Sequence, residues 1–247
     1  MSEIRIGCSG FTYPHWKGVF YPPDVPSARW LEYYCQHFAT VEMNNSFYRM
    51  PRPENCVNWR QRTPEGFVYS VKMHRVLTHR RRLMEPQRTL EPFLRALAGL
   101  GEKLGPVLVQ LPPRWRRDIP RLSEFLDACR EYRRVSRWAV EFRDADWLAD
   151  DTYDLLHRHN ASLVLHDNIK DHPRVLTADW LYVRYHGGQW GDYPAPYLAQ
   201  QAAWLSSVAA GGCDVYAYYN NDQNGWAVKN ALQLKSDLAR RPRRRSA

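Results

Sequence analysis

The sequence contains no apolar run of about 18 residues, so it offers no transmembrane helix. It has no Cys-x-x-Cys pair either. Its five cysteines, Cys8, Cys35, Cys56, Cys129 and Cys213, are scattered and odd in number. That pattern argues for reduced thiols and against a disulfide frame or a zinc site. No Gly-x-Gly-x-x-Gly turn follows the first apolar stretch, which disfavours a dinucleotide-binding open sheet. The opening MSEIRIGCSGF lacks the basic-then-apolar layout of a signal peptide, and no internal repeat or interdomain linker is visible. These absences lead to the expectation of a cytoplasmic protein with no membrane partner.

What is present is ordinary in bulk and uneven in detail. Of 247 residues, 44% are hydrophobic and 25% charged, as in soluble globular chains. Ten Trp and fifteen Tyr promise ring-rich surfaces. The net charge is +9, but five arginines sit in the terminal RRPRRRSA (240–247), leaving about +4 elsewhere. Such a tail is expected to be a disordered, solvated end with at most weak nucleic-acid binding.

Four segments share one pattern. TVEMNN places Glu42 and Asn44 opposite Val41 and Met43, because strand side chains alternate. FVYSVKMH does the same with Lys72 and His74, WAVEFR with Glu141 and Arg143, and LYVRYH with Arg184 and His186. Each pair falls near the C-terminal end of its segment. Further strands are expected at Ile4–Cys8, Val107–Leu111, Ala161–His166 and Asp214–Asn220. Helices are expected at about Ala28–His37 (capped by Ser27), Glu54–Arg62, Thr89–Leu100, Pro120–Tyr132, Asp150–His159, Tyr193–Ala210 and Ala227–Leu238. Eight strands alternating with helices over this length predict an α/β fold: a single (β/α)8 TIM-type barrel over residues 1–239, irregular connections allowed.

In such a barrel the C-terminal strand ends converge on one mouth. The expected catalytic groups are Glu42, Glu141, His186 and Lys72. Asn44, Tyr48, His74, Gln110, Arg143, Arg184, Asn220 and Asn221 are expected to bind substrate. The inward phase of His166-Asp167 and Asn220-Asn221 is open to one residue, and loop aromatics Tyr13, Trp16, Tyr48 and Trp147 are candidates to wall the cavity. The bland alternative is a polar core layer in which the cations merely neutralise Glu42 and Glu141.

The segments GCSGFTYPHWKGVFYP, TVEMNNSFYRMP, FVYSVKMHRVLTH, GPVLVQLPP, WAVEFRDADW, LYVRYHG and YYNNDQNGWAVKNA also resemble, in order, the signature segments of the YecE-like family of unknown function. The resemblance runs to about Leu238. It implies the same barrel and no particular activity. Glu42, Asn44, Tyr48, Lys72, His79, Gln110, Glu141, Arg143, Arg184, His186, Asn220 and Asn221 stand at its motif positions.

The leading functional expectation is an isomerase, lyase or hydrolase for an anionic, sugar-like small molecule. Arg143, Arg184 and Lys72 would clamp the anion, and Glu42 and Glu141 would serve as acid and base. No cofactor is predicted. The alternatives are a divalent-metal isomerase or nuclease-like phosphodiesterase, and a non-catalytic polyanion-binding module using His79–Arg82 and Arg114–Arg117. On the leading reading, Glu141→Gln and Arg184→Ala should remove ligand response with little change in melting.

Overall fold

Among the described residues eight strands form where the alternation and apolar runs require them: β1 (Ile4–Cys8), β2 (Thr40–Met43), β3 (Val68–Lys72), β4 (Leu104–Gln110), β5 (Trp138–Glu141), β6 (Ser162–His166), β7 (Trp180–Tyr185) and β8 (Asp214–Tyr219). The structure, a computed structural model, describes residues 2–132, 135, 137–188 and 191–240, so all but the first residue of the expected basic tail lies outside it. All strand pairs are parallel, in the order β1-β8-β7-β6-β5-β4-β3-β2.

The connections carry α1 (Trp30–His37), α2 (Asn45–Tyr48), α3 (Pro53–Gln61), α4 (Gln87–Leu97), α5 (Ile119–Arg130), α6 (Asp150–Arg158), α7 (Ala195–Ala210) and α8 (Trp226–Ala239). Among the described residues no helix links β6 to β7. The result is a nearly closed TIM-type barrel. Its seam, between β1 and β2, has one bridge, Ser9 opposite Glu42. Tyr34 of α1 reinforces that seam: its hydroxyl donates to the Thr40 carbonyl at 3.0 Å and accepts from the Cys8 N–H at 2.8 Å. Gly7 makes the approach possible, since a Cβ there would lie 2.3 Å from the Thr40 oxygen.

Alternation sorts the side chains into two apolar layers. One packs the outside of the barrel against the helices and includes Val41, Val71, Val109, Phe142 and Val183. The other fills the barrel axis with Leu108, Ala139, Val164, Trp180, Tyr182, Tyr216 and Tyr218. Those tyrosines bring hydroxyls into the interior, where Tyr218 meets Thr40 Oγ1 and Tyr182 meets Ser70 Oγ, both at 2.7 Å. Buried hydroxyls need such partners.

Local expectations shift at three places. Ser27 does not cap α1; it begins a 3-10 turn, Ser27–Arg29, behind Pro26. Asn44-Asn45-Ser46 leads straight into the helical turn α2. The basic stretch after β3 forms a π-helical turn, Val76–Arg80, and then places Arg82, Leu83 and Glu85 at φ of 46°, 64° and 47°. L-residues seldom adopt these left-handed angles.

Candidate active site

The inward residues of β2, β5 and β7 meet below the mouth. Arg184 of β7 donates from Nη2 to Glu42 Oε1 at 2.8 Å and from Nη1 to Glu141 Oε2 at 2.6 Å. Glu42 also accepts from the Tyr182 hydroxyl at 2.6 Å and from Ser9 Oγ. Glu42 and Glu141 are fully buried and Arg184 is 1% exposed, so solvent reaches none of the three. Burial alone would raise the Glu141 pKa, but Arg184, His186 and Arg143 outweigh it and hold the carboxyl well below its usual range. Burial likewise works against the charge of Arg184, and the two carboxylates more than restore it.

Above this sealed triad sit the groups that reach the mouth. Arg143 leans on Glu141 as an ion pair and donates from Nη2 to Gln110 Oε1 at 3.3 Å. Lys72 donates from Nζ to the same oxygen at 2.8 Å and lies 4.4 Å over the Phe47 ring. Burial first, then Arg184, brings the Lys72 pKa down to about 8. His186 stands 3.1 Å from Asn220 Nδ2 and 3.4 Å from Arg143 Nη2. Burial and the two guanidinium groups push its pKa well below the ordinary value. Asn44 Nδ2 donates to Asn220 Oδ1 at 3.4 Å, while Asn44 Oδ1, buried, has no partner among the described residues.

The structure therefore brings together Glu42, Glu141, Arg184, Arg143, Lys72, Gln110, His186, Asn44 and Asn220. Three expected binding residues fall elsewhere. His74 lies past the end of β3, where alternation no longer applies. Its Nδ1 accepts from the Val76 N–H, and burial and Arg75 lower its pKa. Asn221 turns away from the mouth, donating to the Gly191 carbonyl at 2.6 Å and Asn230 Oδ1 at 2.9 Å. Tyr48 is 66% exposed on the rim, facing Arg75.

Two of the loop aromatics are also corrected. Trp16 is fully buried against Phe20 and Tyr21, and Trp147 stacks on Phe142 in the outer layer, so neither walls the cavity. Tyr13 stays close, donating to the Ser9 carbonyl.

The open phases are now fixed. His166 points inward, donating from Nε2 to the Phe142 carbonyl and accepting at Nδ1 from the Asn168 N–H. Both its nitrogens are thus engaged by backbone groups, and burial lowers its pKa. Asp167 accepts from the His186 N–H and the Tyr193 hydroxyl, which anchors the loop after β7. Sequence reasoning missed Ser9, Phe47 and Tyr182. The inward phase of β7 carried the signal for Tyr182, two residues before Arg184.

A divalent metal does not fit this donor set. Arg184 fills the gap between the two carboxylates, and among the described residues no three His, Cys, Asp or Glu side chains are disposed to hold one. Among the same residues no helix is long and apolar enough to cross a membrane.

A family profile described as "Protein of unknown function DUF72" matches residues 5–247. The UPF0759 protein YunF of Bacillus subtilis is 26% identical over 94% of this chain and 93% of its own length. The UPF0759 protein YecE of Escherichia coli K12 is 30% identical over 126 residues, and that match spans 51% of this chain and 44% of YecE. Among solved structures, a DUF72 family protein from Thermotoga maritima superposes with a TM-score of 0.83 at 28% identity, covering 96% of this chain and 99% of that one. One from Enterococcus faecalis gives 0.80 at 21% identity, covering 97% and 96%, and shows the fold alone.

Proposed function

The chain belongs to the DUF72 family of proteins of unknown function, and from that premise we propose that it is an enzyme whose barrel mouth takes an anionic, oxygen-rich small molecule. One observation carries the reading. The carboxylates that pair with Arg184 are sealed beneath it, while the two groups above them that share the Gln110 amide oxygen, Lys72 and Arg143, are both cationic. Two cations flanking one amide oxygen suit a phosphate or carboxylate. Asn44 Oδ1 adds an unused acceptor for a ligand hydroxyl.

This changes the roles expected of Glu42 and Glu141. Their ion pairs with Arg184 make them a foundation that positions Arg184 and Arg143, and proton transfer passes to Lys72 and His186. Thermal shift with inorganic phosphate, 2-oxo acids and sugar phosphates tests the reading. A ligand at 100 times its Kd adds about 2.7 kcal/mol, or roughly 5–10 °C for a chain of this size. Arg143→Ala should abolish that rise; a rise of equal size in the variant counts against the site.

A second reading, polyanion binding without catalysis, has its own support. Arg49, Arg52, Arg80, Arg82, Arg114 and Arg116 are exposed on the loops after β2, β3 and β4, with no ion-pair partner among the described residues. Affinity for single-stranded nucleic acid that falls steeply with salt would favour it, as would its persistence in a chain lacking residues 241–247.

A further inference from the structure

Lys72 is set apart from the other lysines by what surrounds it. It ends β3 at the open side of the barrel and is half-buried. Its Nζ makes one hydrogen bond, to Gln110, and packs on Phe47; among the described residues no carboxylate comes within ion-pair distance. Lys103, by contrast, spends its ammonium on the Arg60 and Thr63 carbonyls and Thr63 Oγ1. Lys235 lies against Phe38 and donates to the His37 carbonyl, away from the mouth. Lys229 pairs with Asp192.

The position of Arg143 completes the arrangement. Its Nη2 and Lys72 Nζ both address Gln110 Oε1, at 3.3 and 2.8 Å. An anion held by Arg143 therefore brings atoms one or two bonds away within reach of the amine. A desolvated lysine beside other cations is the known setting for an amine nucleophile.

We infer that Lys72 forms a protonated imine with an aldehyde or ketone that carries a carboxylate or phosphate, the anionic group resting on Arg143. The inference rests on the anion-site reading above and names its substrate class. The nitrogen lone pair attacks the carbonyl carbon, and the C=O π pair moves to oxygen, which takes up a proton from nitrogen. The C–O bond of this carbinolamine then breaks. The hydroxyl leaves as water with one proton from solvent at the open mouth, and the nitrogen lone pair forms C=N. Neutral amine, carbonyl and one proton thus give a protonated imine and one water, with no oxidant or reductant. The depressed pKa of about 8 supports the step, because it leaves part of the amine neutral near pH 7.

The test is reductive trapping. The full chain is incubated with glyoxylate and cyanoborohydride, and the labelled lysines are mapped by peptide mass. At pH 7, Lys72 should label roughly tenfold or more faster than Lys17, Lys170 and Lys229, since an ordinary lysine is far less often neutral there. Its rate should climb as pH rises through about 8. Arg143→Ala should slow labelling by glyoxylate far more than labelling by uncharged glycolaldehyde. Lys72→Met should lose the fast phase, with its melting temperature checked separately. Labelling that merely follows exposure, with no excess at Lys72 in the unaltered chain, overturns the inference. If glyoxylate gives an Arg143-dependent thermal shift but no Lys72 adduct, the imine is wrong and the anion site stands. If it gives neither, both fall.

Discussion

The two ends of this barrel each carry an arginine and a carboxylate, and they are built to different ends. At the N-terminal end Arg137 donates to Asp214 and to the Tyr216 hydroxyl, both at 2.5 Å, and lies beside the Trp180 ring. Its side chain is 27% exposed and that of Asp214 30%, and one cation meets one anion. At the C-terminal end two sealed carboxylates pair with Arg184 and Arg143, and Lys72 stands above them on Gln110 with no carboxylate at ion-pair distance among the described residues. Within that cluster three cations stand against two carboxylates, and buried atoms such as Asn44 Oδ1 and Glu141 Oε1 have no aligned hydrogen-bond partner. A balanced, satisfied plug closes the barrel; an unbalanced, incompletely satisfied cluster is equipped to receive something. The end-of-strand rule predicts the same asymmetry.

Substitutions can break this contrast. The largest effect is expected from Arg184→Ala, which would leave buried Glu42 with no cation and Glu141 with Arg143 alone. Removing one partner of a buried ion pair typically costs about 3–5 kcal/mol, measurable by urea unfolding. This replaces the expectation drawn from sequence that the change would leave melting nearly intact. Phe142→Ala should cost a similar amount, about 3–5 kcal/mol, because the ring is fully buried and stacks on Trp147 at 4.7 Å. It does so without touching the mouth, so anion binding should survive wherever the variant is folded.

Smaller changes sharpen the comparison. Arg137→Ala removes a partly exposed pair and should cost about 1 kcal/mol or less, with ligand response unaltered. Glu141 supplies a pH test. Its folded pKa is depressed below 4.5, so its contribution is complete above the unfolded carboxylate range and is lost as pH falls through the folded value. Glu141→Gln should therefore be less stable than the unaltered chain at pH 7, and the gap should narrow on acidification below about 4.5. A gap that stays constant with pH would show that Glu141 acts through packing and not through its charge.

Much of this was legible in the chain because alternation is a strong constraint. Once Val41 and Met43 are assigned outward, Glu42 must face the axis, and the same parity placed Lys72, Gln110, Glu141 and Arg184, and carried one residue past β7 to His186. Legibility faded beyond the strand ends. Asn220 and Asn221 both follow β8, and only the structure shows Asn220 at the mouth and Asn221 tied to Gly191 and Asn230. His74 failed for the same reason, since the chain curls into a helical turn just beyond it. Trp16 and Trp147 failed because loop position says nothing of which way a ring folds back. Parity also could not show that one guanidinium would span both carboxylates. On the proposed reading, that single contact gives Glu42 and Glu141 supporting roles in place of the expected acid and base.

The most direct test of the central claim is calorimetric titration of inorganic phosphate into the unaltered chain, Arg143→Ala and Arg137→Ala. The account predicts one site per chain, weakened about tenfold or more by Arg143→Ala, a loss of about 1.4 kcal/mol or greater, and unchanged by Arg137→Ala. Equal weakening by both, or none by Arg143→Ala, would contradict it.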